Sequence, residues 1–327
     1  MKKIIASLLL LMTTITLLAS CNTGDNGLAK KINIGCLSGP TGMGMAKMIN
    51  DNGLDSDKYS FTVFGGPDAA KNAFIAGDVD AICFPTNAAA NLYKALGGDV
   101  YVAAINCLGS LYLISDSTID ITSIYDLEGK TIYASVPSST TGAIINHILE
   151  KNGVNATVSF EFEGETLADH DLLTALISTG KIDIAILPEP KATATILANP
   201  DLGLTIDLNL SSEWEKISEE GEHLTMGCII FRKSFVDKNK AAVNQFLAEY
   251  ESSIEYINNK DNNEDAANMI FTAGILPKAA IAKKSLHNLY GSIVYLDGAE
   301  MKTALKSFYE AIGLSQPDDQ FYYEGKN

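Results

Sequence analysis

Two stretches of this chain, about one hundred residues apart, follow the same plan, and a fixed-period repeat constrains a fold more than any composition does. Residues 73–80, Ala73-Phe74-Ile75-Ala76-Gly77-Asp78-Val79-Asp80, run into the apolar Ala81-Ile82-Cys83-Phe84 and stop at Pro85. Residues 175–183, Ala175-Leu176-Ile177-Ser178-Thr179-Gly180-Lys181-Ile182-Asp183, run into Ile184-Ala185-Ile186-Leu187 and stop at Pro188. In each, a glycine ends a helical pattern as a left-handed C-cap would, and an aspartate follows three residues later. The apolar run that comes next shows no alternation. A strand apolar on both faces belongs in the middle of a sheet covered by helices, so both segments predict central strands of a largely parallel sheet.

The similarity extends upstream. Lys31-Ile32-Asn33-Ile34-Gly35-Cys36-Leu37 leads through a Ser/Gly/Pro/Thr loop into a helical stretch that stops at Asn52-Gly53, and Lys130-Thr131-Ile132-Tyr133-Ala134-Ser135-Val136 leads through Pro137-Ser138-Ser139-Thr140-Thr141 into one that stops at Asn152-Gly153. The chain is therefore expected to be α/β, with two β-α-β-α-β lobes that each carry their own sheet. The alternative, that βα units in any α/β protein look alike, stays open here and leaves the same fold class. The last third differs: a strand-like run over 225–231 precedes helical patterns over 241–257, 264–273, 277–290 and 299–312. These helices are expected to return to the first lobe and cover its sheet. Residues 31–112 with 227–327 then form lobe 1, residues 113–226 form lobe 2, and two hinge crossovers join them.

The N-terminus sets the compartment. Lys2 and Lys3 precede an apolar run over 4–18 and then Leu18-Ala19-Ser20-Cys21, the plan of a secretory leader over 1–20. The run falls short of the ~20 apolar residues a membrane span needs. The small residues before Cys21 resemble a bacterial lipobox, which implies a diacylated cysteine that anchors the chain by its acyl groups alone. An uncleaved anchor, or a chance cysteine after an ordinary leader, is the alternative. Residues 21–30 read as a polar tether. The chain carries a formal net charge of −16, more negative once Lys2 and Lys3 leave, which argues against nucleic acid as a partner. Cys36, Cys83, Cys107 and Cys228 sit in apolar runs without CxxC spacing, and His147, His170, His223 and His287 are scattered. Buried free thiols are expected, with a disulfide left open by the oxidising compartment, and neither a metal site nor a cofactor.

Three segments resemble the type II periplasmic binding proteins. They are Ile124-Tyr125-Asp126-Leu127-Glu128-Gly129-Lys130-Thr131-Ile132 with its Ser/Thr loop, Gly180-Lys181-Ile182-Asp183 followed by Leu187-Pro188-Glu189-Pro190, and Phe231-Arg232-Lys233-Ser234-Phe235 followed by Asn244-Gln245-Phe246-Leu247. The branch most resembled holds receptors for aliphatic sulfonates, nitrate or taurine and the thiamine-pyrimidine type. The resemblance covers nearly the whole chain after the tether. It implies a two-lobed, monomeric, non-enzymatic, lipid-anchored receptor that captures a small organic solute between its lobes and hands it to ABC permease subunits. One departure stands out: the sole arginine, Arg232, sits at the return strand, so no guanidinium fork is expected in the cleft.

Ligands of open α/β sheets sit outside the carboxyl ends of the strands. That rule nominates Ser38, Gly39 and Thr41, then Thr86 and Asn87, then Ser138, Ser139 and Thr140, then Glu189, with the loop over 65–68 as a further candidate. Most of these precede a helix, so backbone N–H groups and helix dipoles would favour an anionic or carbonyl-bearing ligand. Each has a plainer alternative. Ser38, Thr41, Ser139 and Thr140 suit N-caps, Thr86 and Asn87 suit a turn, and Glu189 suits a hinge or an ion pair. If Glu189 faces the solute, its carboxylate selects an amino group or ring N–H. Phe84 and Tyr112 could wall the ligand, though aromatic residues in strands usually build core. Two competing functions remain: an enzyme of the same fold, as in menaquinone or pyrimidine biosynthesis, and a lipoprotein that presents its solute to a membrane kinase.

Overall fold

A computed structural model of the protein describes residues 30–137 and 139–325. The leader, Cys21, the tether up to residue 29 and the candidate Ser138 lie outside the described residues. The chain opens with β1 (Ile32–Leu37), α1 (Pro40–Met43), α2 (Ala46–Asn52), β2 (Tyr59–Phe64), α3 (Pro67–Ala76), β3 (Ala81–Pro85), α4 (Thr86–Ala95) and β4 (Tyr101–Leu108). It continues with β5 (Leu111–Asp116), β6 (Thr131–Tyr133), α5 (Thr141–Asn152), β7 (Thr157–Ser159), the short hairpin β8 (Glu161–Phe162) and β9 (Glu165–Thr166), α6 (His170–Ser178), β10 (Ile184–Pro188), α7 (Lys191–Ala198), β11 (Leu204–Asn209) and α8 (Leu210–Glu215). It ends with β12 (Thr225–Phe231), α9 (Lys233–Asn258), α10 (Asn263–Thr272), α11 (Ala279–Leu289), β13 (Ile293–Leu296) and α12 (Gly298–Ala311).

Two sheets result, in the orders β13-β4-β12-β3-β1-β2 and β11-β5-β10-β6-β7. The repeat occupies matching places in both. β3 pairs parallel with β1 and antiparallel with β12, while β10 pairs parallel with β6 and antiparallel with β5. In each sheet the antiparallel neighbour is the strand that has just arrived from the other sheet. That exchange is the double crossover, and it makes each sheet mixed at one side of its centre. The apolar runs are central because nothing polar interrupts them: β3 and β10 are buried up to their closing prolines. Gly77 (φ 84) supplies the left-handed turn that ends α3, its N–H donating to the carbonyls of Ala73 and Phe74.

The helices after β12 pack on both sheets. α9, α10 and α11 build a core with the first sheet around Ile34, Phe246, Ile270 and Leu286. A second core runs without a break from Phe84 and Ile105 of the first sheet to Leu113 and Ile186 of the second, joined by Trp214 of α8 and Phe308 of α12, whose rings lie 5.9 Å apart. In addition, α11 packs on α7 of the second sheet. The four thiols are buried and free, and burial pushes those of Cys83 and Cys107 up to about 12, so they act as small apolar side chains.

Candidate functional site

β1, β3, β6 and β10 release the nominated loops at their carboxyl ends. A Cβ built on Gly39 would lie 3.9 Å from Pro190 Cδ, so the loop after β1 meets the loop after β10. Gly39 holds φ 110, a value that L side chains rarely adopt. Beside it, Ser38 is exposed and donates its backbone N–H to Phe64 O at 2.9 Å. In the second lobe, Val136 also lies at positive φ (56), an uncommon state for a β-branched residue. Hydrogen bonds from Val136 N to Leu167 O and from Ser139 N to Val136 O hold it there.

The helices that start at these loops begin at Gly39, Gly66, Pro85, Thr140 and Pro190, and none has a side-chain cap. The capping role that suits Ser38, Thr41 and Thr140 by sequence is therefore not taken by their hydroxyls. Ser139 makes only a long contact, its Oγ accepting from Thr141 N at 3.4 Å. First-turn N–H groups of α3, α4 and α5 are left for other acceptors, whereas in α7 the Thr193 N–H donates to the Glu189 carboxylate. A negatively charged or carbonyl oxygen is the chemistry that such ends attract.

Several candidates point elsewhere. Thr86 is 1% exposed, donates its hydroxyl to Thr225 O at 2.8 Å and accepts at its carbonyl from Tyr309 OH. Glu189 is 2% exposed. Its Oε1 accepts from Thr193 Oγ1 and Asn288 Nδ2, and its Oε2 from Ser285 Oγ and Thr193 N. As placed, both side chains are engaged within the protein, and selection of an amino group or a ring N–H by Glu189 was expected only if its carboxylate faced the solute. Phe84 and Tyr112 are core, and the Tyr112 hydroxyl donates to Asn288 O. Asn87 is half-buried at the start of α4, and its amide has no hydrogen-bond partner among the described residues. Thr41 is half-buried over Gly227, where a Cβ would sit 2.3 Å from its methyl.

The structure adds residues that sequence reasoning did not single out. Asn106, 1% exposed within β4, donates to Thr41 O and to Tyr250 OH, while its Oδ1 is buried with no partner. A lone amide inside the apolar Tyr101–Leu108 run was the available signal. At the end of β6, Ser135 Oγ and His170 Nδ1 share a hydrogen bond of 2.6 Å. Burial, and then Lys191, holds the His170 imidazole below its usual range. Lys191 pairs with Asp171 on the same rim. Arg232 lies at the other end of the first sheet, since the preceding Phe231 pairs with Ala81 at the start of β3. It binds the carbonyls of Phe74 and Ile75 and the carboxylate of Asp99.

Residues 60–261, more than half of the chain, match the model of a family described as the periplasmic substrate-binding protein of phosphonate ABC transporters. Among solved structures, an ABC transporter protein from Parabacteroides distasonis is similar at a TM-score of 0.71 and 20% identity, over 91% of this chain and 100% of that one. The periplasmic aliphatic sulphonate binding protein SsuA from Escherichia coli is similar at 0.66 and 16%, over 91% and 93%. The periplasmic nitrate-binding protein NrtA from Synechocystis is similar at 0.54 and 11%, over 75% and 66%. At these identities the likeness is one of fold. A search of curated proteins returns no match.

Proposed function

This chain belongs to the family of periplasmic substrate-binding proteins of phosphonate ABC transporters, and from that premise we propose how its cleft works and where it is held. As a member it is the extracytoplasmic substrate-binding component of an ABC import system and binds a small molecule for delivery to permease subunits. The proposal concerns the solute and the closure. The solute is a small organic molecule with an oxyanion or carbonyl group, gripped by the uncapped first turns of α3, α4 and α5, with Ser38, Gly39, Thr41, Asn87, Ser138, Ser139 and Thr140 around it. The approach of the loop after β1, at Gly39, to the loop after β10, at Pro190, is the observation that supports this reading. Neutral N–H donors replace the guanidinium that Arg232 does not bring. Residues 31–112 with 227–327 and residues 113–226 act as the two closing bodies.

Substrate-binding proteins of ABC importers are generally non-enzymatic, and we propose the same here. Ser135 and His170 have the look of a nucleophile and its base, but Ser135 is 1% exposed and offers no approach to a substrate. Cys21 is proposed to carry the lipid that tethers a monomeric receptor, and among the described residues no helix is long and apolar enough to cross a membrane. A thermal-shift panel of phosphonates, sulfonates, carboxylates, amines and pyrimidines on the purified protein tests the cleft. A ligand at 100 times its Kd adds about 2.7 kcal/mol of stability. One oxyanion or carbonyl class should raise Tm by several degrees, with mass spectrometry of released solute naming it. A panel without any shift would overturn the reading, and co-purification with a kinase in place of permease subunits would redirect it to sensing.

A further inference from the structure

A second cavity opens on the flank of the junction between the sheets, with a volume of about 850 Å³. That is within the range of small-molecule sites, roughly 300–1,000 Å³. One wall is the C-terminal half of α7 and the start of β11, and the other is Lys260 with α10 and α11. Leu204, which lines it, pairs with Asp116, at the end of the second sheet away from Pro188 and the candidate cleft. None of the nominated solute loops reaches it. Thr193 and Asn288 are shared between this cavity and the Glu189 cluster.

Its chemistry is two-sided. Ile196, Leu197, Leu204 and Ile206 make an apolar wall, with Leu197 left 38% exposed. Opposite stand Lys260, Lys283, Lys284 and His287, and among the described residues no Asp or Glu lines the space, although the chain carries 40 acidic residues against 24 basic ones. Lys283 is paired with Glu264, and Lys260 lies over the ring of Tyr290. Lys284 adds a further ammonium. Clustered ammonium groups beside an apolar wall attract an anion whose body can leave water, because the apolar contact and the charge contact are made at once.

We propose that this cavity is a second ligand site, which takes a small organic anion with an apolar body and one acid group. The acid lies against Lys283 and Lys284, and the body lies on Leu197, Leu204 and Ile206. Because one wall is α7 with β11 and the other is α10 with α11, an occupant ties α7 to α11, the same two helices that Glu189 joins. The site differs from the strand-end cleft in place and in its use of ammonium groups instead of backbone N–H groups.

Isothermal titration of the purified protein with 4-phenylbutyrate and with its uncharged amide tests this. The acid should bind one to one, at least fivefold more tightly than the amide, and more weakly as salt is raised. Lys283→Gln combined with Lys284→Gln should weaken the acid at least fivefold while leaving the amide unchanged, and Lys260→Gln provides an independent second variant. Absence of binding by the acid, equal binding of the amide, or an unchanged acid affinity in the lysine variants would each overturn the site.

Discussion

Strands β3 and β10 close the two copies of the repeat and are buried alike, yet the residues that follow them serve opposite ends. Thr86, after Pro85, turns inward and bonds Thr225 and Tyr309 of its own sheet and its covering helix. Glu189, after Pro188, reaches across to Ser285 and Asn288 on α11, a helix of the other lobe's core. The first lobe thus seals its own floor, while the second spends the matching position on a clasp between lobes. Duplicated architecture fixes where a side chain starts, and the neighbour that the returning helices bring decides what it does. Lobe separation must break the Glu189 clasp, whereas it can leave the Thr86 bonds intact.

The largest effect should come from Glu189→Ala. Removing the carboxylate takes the acceptor from the Ser285 hydroxyl and the Thr193 N–H and leaves Asn288 only its bond to Thr193 Oγ1, which costs about 3 kcal/mol. Urea unfolding measures the loss, and small-angle scattering should report a larger radius of gyration for the ligand-free variant. Unchanged dimensions would break the distinction between clasp and floor. Next is Gly227→Ala in the first lobe, where the new methyl meets Thr41 Cγ2 at 2.3 Å and Asn106 Oδ1 at 2.5 Å. Neither neighbour has an easy retreat, so about 2 kcal/mol should be lost, with weaker solute binding because the Thr41 loop is pushed. Thr86→Val keeps shape and removes one hydrogen bond, costing about 1 kcal/mol. It should leave the radius of gyration unchanged, and an opened molecule would show that Thr86 also restrains the lobes.

The fold was legible because its determinants are local. Gly77, Asp80 and the uninterrupted Ala81–Phe84 run state a helix stop, a turn and a central strand within a dozen residues, and Gly180 to Leu187 says the same again. Even here, identical spacing hid a difference: the Asp80 carboxylate accepts from Asn33 at the start of β1, while Asp183 joins β5 only through its backbone. That a single arginine stands at the return strand was legible too, but its place at the start of β3 shows only once β12 runs antiparallel to that strand. The clasp was not, because Glu189 finds Ser285 and Asn288 96 and 99 residues later, and no pattern near Glu189 encodes them. Ser135 and His170, 35 residues apart, hid for the same reason. Burial of Thr86 depended on the antiparallel arrival of β12, which propensity does not reveal.

The smallest effect probes whether the second lobe also keeps a self-contained floor, in the pair Ser135 and His170. Burial comes first and Lys191 second in lowering the His170 pKa from 6.5, with Asp169 and Asp171 opposing. The folded protein therefore prefers the neutral ring. As pH falls past 6.5 the unfolded chain takes up this proton while the folded chain resists, so the associated stability is complete above 6.5 and is lost as pH drops toward the lower folded value. His170→Gln removes the titration and keeps a side chain able to bond Ser135. Melting curves at pH 7.5 and 5.5 should then show a steeper loss for the unaltered protein than for the variant, by on the order of 1 °C. His147, lowered by burial and then by Lys151, is present in both and cancels. Equal slopes would mean that Ser135 and His170 contribute nothing to sealing the second lobe, and the contrast with Thr86 would then extend from one residue to the whole floor.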